Sequence, residues 1–174
     1  MRLNKEKSKI DKSIKVDIFA YIIQTVFGIG FIPFASGTFA SLFAVLFGII
    51  PGFLEIKVLA LSLVIYIILY FITIKKILLK YGKDPAEVVS DEVAGQWFTM
   101  FLPIIFIDIS GVNKYLFLAV SFLLFRFFDI TKIPPAKIFD SMDNGFGVLM
   151  DDIVAGAYAG IVSIIFINFF KFLF

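Results

Sequence analysis

Charged residues cut this chain into long apolar stretches: Ile18–Leu54, Val58–Ile74, Val93–Ile107, Tyr115–Phe125 and Ile153–Phe170 contain no Asp, Glu, Lys or Arg. These stretches are apolar all round rather than on one face. In hydrocarbon every backbone amide must be satisfied within its own segment, so they predict lipid-facing helices. Basic residues supply the orientation. Thirteen of the sixteen fall in Arg2–Lys15, Lys75–Lys83 and Arg126–Lys137, which the positive-inside rule places in the cytoplasm. Alternation then predicts spans at about Thr38–Leu54, Lys57–Ile77, Val93–Ile107, Tyr115–Phe128 and Ile153–Phe170. The remaining stretch, Ile18–Phe34, must return to the side it left, and is predicted as an interfacial or re-entrant helix broken at Gly28, Gly30 and Pro33. The expected fold is all-α: a polytopic helical membrane protein with about five transmembrane helices plus an N-terminal interfacial or re-entrant helix. It forms a single membrane-embedded domain over residues 1–174, with a basic cytoplasmic arm at 1–16.

Composition strengthens the membrane expectation. The chain is 60% hydrophobic with 24 phenylalanines and a mean hydropathy of +1.00, against roughly 45–50% apolar residues in a soluble domain. Apolarity continues past Gly37 into a second long stretch, so cleavage of a signal peptide is not expected. A net charge of +2 is too small to indicate nucleic acid. The Lys-rich start reads as an arm facing anionic lipid or as a solubilising tail. The absent residues narrow the chemistry further. With neither cysteine nor histidine, the chain has no thiol nucleophile, thiolate metal site or disulfide, and no imidazole for a phosphohistidine or Ser-His mechanism.

The predicted topology brings three polar segments, Gly37-Thr38, Asp84–Glu92 and Arg126–Asp152, to the cytoplasmic boundary. Asp91-Glu92 and Asp151-Asp152 each adjoin an uncharged run and are expected to project from helix ends at headgroup depth. Mg²⁺ takes hard oxygen ligands, and paired carboxylates on adjacent helices meet that demand. Acids also favour helix starts for dipole and capping reasons alone. Small residues follow both pairs: Ala94-Gly95 in one case, Ala155-Gly156 and Ala159-Gly160 in the other. Asp152, Gly156 and Gly160 share one stripe, which suits close helix packing inside the chain or a homodimer contact. Arg126, Asp129 and Lys132, three residues apart, form either a phosphate clamp or a snorkelling ion pair. Gly37-Thr38 is an N-cap or an anion cradle, and Gly145 and Gly147 read as a turn.

Three blocks together resemble the phosphatidylglycerophosphatase A family. G-I-G-F-I-P-F-A-S-G-T-F-A-S-L from Gly28 to Leu42 is similar to the family's A-P-G-T-x-G-S-L segment, with Ser36 in place of its proline and Ala40 of its glycine. D-P-A-E-V-V-S-D-E-V-A-G from Asp84 to Gly95 resembles its central acidic block. F-R-F-F-D-I-T-K-I-P-P from Phe125, then G-F-G-V-L-M-D-D-I-V-A-G from Gly145, resemble its F-R-x-F-D-I-x-K-P-x-P and G-x-G-V-M-x-D-D-x-x-A-G. Ile133 replaces a proline, and Leu149-Met150 depart from the usual order. The resemblance implies Mg²⁺-dependent hydrolysis of a phospholipid substrate, phosphatidylglycerophosphate, to phosphatidylglycerol at the cytoplasmic face of a bacterial inner membrane. It implies Asp91, Glu92, Asp151 and Asp152 as metal ligands, Asp129 as a further ligand or general base, and Arg126, Lys132, Thr38 and Gly37 as phosphate holders. Three alternatives stay open: an ion or solute carrier with acidic sites, a phosphatase of another lipid phosphate, and a CDP-alcohol phosphotransferase, whose D-x-x-D-G-x-x-A-R block is absent.

Overall fold

The computed structural model describes residues 13–82, 85–109 and 111–173, so most of the basic arm, and Asp84, lie outside the described residues. Those residues form seven α-helices and two 3-10 turns without a strand, as an all-α fold requires. The helices are α1 (Ile18–Gln24), α2 (Ser36–Leu46), α3 (Ile56–Tyr81), α4 (Ser90–Phe106), α5 (Lys114–Thr131), α6 (Ala136–Asp140) and α7 (Gly145–Leu173). Helix α4 is the axis of the bundle, packed by α2, α3, α5 and α7, and most of its residues from Ser90 to Pro103 are buried. Trp97 anchors its middle: the indole N–H donates to the Ala44 carbonyl at 3.0 Å, and the rings of Phe47, Phe53 and Tyr66 lie 5.3–5.4 Å from it.

Glycines set the α4–α7 crossing. A methyl group added at Gly156 would stand 2.5 Å from the Gly95 carbonyl oxygen, one at Gly95 2.8 Å from the Asp152 carbonyl oxygen, and one at Gly160 2.9 Å from the Leu102 side chain. The small-residue stripe is thus occupied inside the chain by α4, which removes the sequence argument for a homodimer contact there. Backbones this close gain packing that larger residues would forbid.

Several expected boundaries move. Helix α2 stops at Leu46, passes through the 3-10 turn Phe47–Ile49 and ends in a turn where Gly52 has φ +81°, so Thr38–Leu54 is not one continuous span. Helix α4 has 17 residues, about 25 Å of rise against a hydrocarbon core of about 30 Å. Helix α5 has 18 but carries Lys114, Arg126 and Asp129. By length and composition two helices, not five, can cross a membrane: α3, and α7 over Gly145–Phe169. Helices α1 and α2 are uncharged but only 7 and 11 residues long.

The segment expected as re-entrant is broken earlier than its glycines suggest. Helix α1 ends at Gln24, Val26 and Phe27 take left-handed conformations, and Gly28 follows at φ +93°. Thr25 explains the early stop. Its hydroxyl accepts from the Gly28 N–H at 3.0 Å, and its carbonyl accepts from Gly30 at 2.9 Å, closing a compact turn. Gly30 is required there, since a methyl group would fall 2.0 Å from the Glu87 carbonyl oxygen. At the other end of the chain Gly145 and Gly147 form the first turn of α7 rather than a separate turn. The Asn144 side chain caps that helix, accepting from Gly147 N–H at 2.8 Å.

Candidate active site

The start of α4 is held before its acids are reached. Fully buried Gln24 accepts through its carbonyl from Val89 N–H and through its side chain from the Ser90 hydroxyl. Its amide nitrogen donates to Thr73 Oγ1 at 2.8 Å and to the Tyr70 carbonyl at 3.0 Å. The first helical turn then presents Asp91 and Glu92, where carboxylates suit the positive end of the helix.

Helix α5 ends beside them. Arg126 and Asp129, one turn apart, pair at 2.9 Å, and the same guanidinium nitrogen donates to Glu92. Buried Ser41 of α2 completes this knot, with its hydroxyl 3.1 Å from Glu92 Oε2 and 3.3 Å from Arg126. Lys132 does not continue the α5 face as its spacing predicts. It leaves the helix at the C-cap in a left-handed conformation, φ +44°, and its ammonium reaches Asp151 of α7 at 2.8 Å and Asp140 of α6. Partial burial disfavours that charge, but the hydrogen bonds it donates to the two carboxylates outweigh it and hold the Lys132 ammonium above the usual lysine range.

Asp151 and Asp152 sit two turns inside α7 rather than at its tip, because the capped helix begins at Gly145. Both are buried. Oxygens of Glu92, Asp129 and Asp152, from three helices, lie within 4.8 Å of one another. This group differs from the set carried by resemblance. Asp129, implied as a further ligand or general base, belongs to it, while Asp91 and Asp151 line the same cavity beside it. The cavity encloses about 370 Å³ and opens at the pole formed by the starts of α2 and α4 and the end of α5. Ser36, Gly37, Ile130 and Lys132 also form its wall. Thr38, one residue beyond Gly37, lies outside that wall, and Arg126 stands behind it holding the acids.

The donor set suits a hard divalent cation such as Mg²⁺: three carboxylates on a common centre, with further acids alongside. Sequence reasoning found the acids and both cations. It missed Ser41, a small polar residue inside an uncharged run, and Asp140, which falls outside every recognised block.

Comparison with known proteins places the chain in a family. The family description phosphatidylglycerophosphatase A matches residues 22–167. A Haemophilus influenzae protein named phosphatidylglycerophosphatase A is 31% identical over 82% of this chain and 85% of its own length. An Escherichia coli protein of that name is 30% identical over 94% and 92%. A Bacteroides thetaiotaomicron protein named provisionally as a phosphatidylinositol-3-phosphatase is 32% identical over 81% and 89%. No solved structure matches. The match spans every helix that contributes to the acidic cavity, and the chain belongs to the phosphatidylglycerophosphatase A family of phosphoric monoester hydrolases.

Proposed function

We propose that the chain removes the terminal phosphate of phosphatidylglycerophosphate with Mg²⁺ held by Glu92, Asp129 and Asp152, at the cytoplasmic face of a membrane. One observation carries this reading. Among the described residues, five carboxylates, Asp91, Glu92, Asp129, Asp151 and Asp152, border the cavity, against the two cations Arg126 and Lys132 beside them. So acidic a pocket attracts a phosphate dianion only when a divalent cation supplies the missing positive charge. When bound, Mg²⁺ neutralises phosphate charge and favours deprotonation of an attacking water.

The chain's own groups do the rest. Lys132, on the cavity wall and aimed by Asp140 and Asp151, contributes a point charge to phosphate oxygens. Arg126 keeps Glu92 and Asp129 in register and does not itself clamp phosphate. Asp91, on the wall but outside the three-carboxylate group, stands to take the proton of the attacking water as the P–O bond to the glycerol oxygen breaks, and to pass that proton to the departing oxygen, which leaves as the alcohol. Membrane embedding is supported by α3, whose Leu61, Val64, Ile68 and Ile72 are all more than half exposed along its length. Lys75, Lys76 and Lys80 at its end share a pole with the cavity, which favours the cytoplasmic side.

The test is phosphate release by purified, detergent-solubilised protein from phosphatidylglycerophosphate and, because one relative bears a phosphoinositide name, from phosphatidylinositol 3-phosphate. We expect Mg²⁺-dependent release from the first, abolished by EDTA and by Asp91→Asn or Asp152→Asn in folded protein. Release unaffected by EDTA sinks the metal assignment, and release from the phosphoinositide alone sinks the substrate.

A further inference from the structure

Helix α2 contributes no carboxylate, yet it lies directly against the acidic group. Gly37 and Ser41 are four residues apart and therefore on one face. A methyl group at Gly37 would fall 1.9 Å from Glu92 Oε1, so the carboxylate occupies the space a side chain would take. On its other oxygen, Oε2, Glu92 meets the Ser41 hydroxyl at 3.1 Å and the Arg126 guanidinium. The hydroxyl also lies 2.8 Å from the Gly37 carbonyl and 3.3 Å from Arg126. A serine has one proton and two lone pairs. Its proton serves Glu92 or the Gly37 carbonyl, while a lone pair accepts from Arg126. Ser41 is completely buried, so no solvent competes for these bonds.

We infer that Ser41 is a positioning residue: with the bare backbone of Gly37 it forms a seat that fixes the orientation of the Glu92 carboxylate for divalent-cation binding. This rests on the metal reading above. The seat explains why an uncharged helix lies against the acids. It also gives Gly37 a steric duty toward Glu92 beside its place in the cavity wall.

The experiment measures Mn²⁺ binding to purified full-length protein by electron paramagnetic resonance, alongside steady-state phosphate release from the lipid. Ser41→Ala and the volume-conserving Ser41→Cys are expected to weaken Mn²⁺ binding about tenfold and lower kcat similarly, with KM for lipid little changed. Ser41→Thr, which keeps the hydroxyl, restores most of both. Ser121→Ala serves as the packing control, because Ser121 on α5 is equally buried but its hydroxyl has no hydrogen-bond partner among the described residues. It should bind Mn²⁺ as the unchanged chain does. Native affinity and kcat in Ser41→Ala and Ser41→Cys overturn the inference, as do equal losses in Ser121→Ala. Failure of the unchanged chain to bind Mn²⁺ is a separate result. It removes the metal reading, and this inference with it.

Discussion

At the residue scale the site is built by charges that an apolar chain carries only where they are used. With 17% charged residues, an acidic doublet at the edge of an uncharged run stands out, which is why Asp91, Glu92, Asp151 and Asp152 were legible, while Asp129 was legible from its spacing between Arg126 and Lys132. Ser41 was not, because a serine in an apolar helix reads as neutral filler until its neighbours are known. Lys132 was found for a reason only half right: its three-residue spacing from Asp129 suggested a shared helical face, whereas it reaches the cavity by leaving the helix. Two carboxylates hold its ammonium. Lys132→Met should therefore reduce kcat/KM by roughly ten- to a hundredfold, the worth of one or two charged hydrogen bonds. Asp140→Asn should cost only a few-fold, since Asp151 still orients the lysine. Both are read from initial rates at matched Mg²⁺.

At the scale of elements, the uncharged runs and the basic segments between them located α3, α4 and α5 to within a few residues but misjudged the ends. Glycine is the reason in two places. Gly145 and Gly147, read as turn formers, start α7 because Asn144 supplies the cap. Gly28 and Gly30, read as helix breakers, follow a break that Thr25 has already made. The glycines of the α4–α7 crossing were read correctly as allowing close approach, and the structure supplies the partner. Gly156→Ala should force the two backbones apart and destabilise the fold by about 1–3 kcal/mol. The same shift displaces Asp152, one turn earlier on α7, so activity should fall further than stability. Thermal unfolding in detergent and kcat, measured on the same preparation, separate the two effects. Gln24 ties α1 to α3 and to the start of α4 with four hydrogen bonds. Gln24→Leu should cost about 1–3 kcal/mol by leaving buried partners unsatisfied, seen as a lower denaturation midpoint.

At the scale of the whole molecule, parity and charge asymmetry predicted five alternating passes. The structure keeps the shared pole, but among the described helices two, α3 and α7, rather than five are long and apolar enough to cross a membrane. Cysteine-free sequence makes this directly testable. Single cysteines at Lys137, near the cavity pole, and at Gly52, near the opposite pole where Lys114 meets the Ile49 carbonyl, should label from opposite sides of sealed vesicles. Labelling of both from the same side would contradict an arrangement with the poles on opposite faces. The count of spans eluded the sequence because uncharged length says how much chain is apolar, not where a 3-10 turn will interrupt it.

The guanidinium of Arg126 lies between Glu92 and Asp129, which bears on the order in which this protein is made. Acids drawn from separate helices would repel one another as the bundle closes, and many metal sites solve this by letting the ion drive folding. Here part of the compensating charge is covalently attached to the chain. On the metal reading proposed above, the polypeptide can thus complete its tertiary structure before a divalent ion binds, and binding is then a step of activation rather than of assembly.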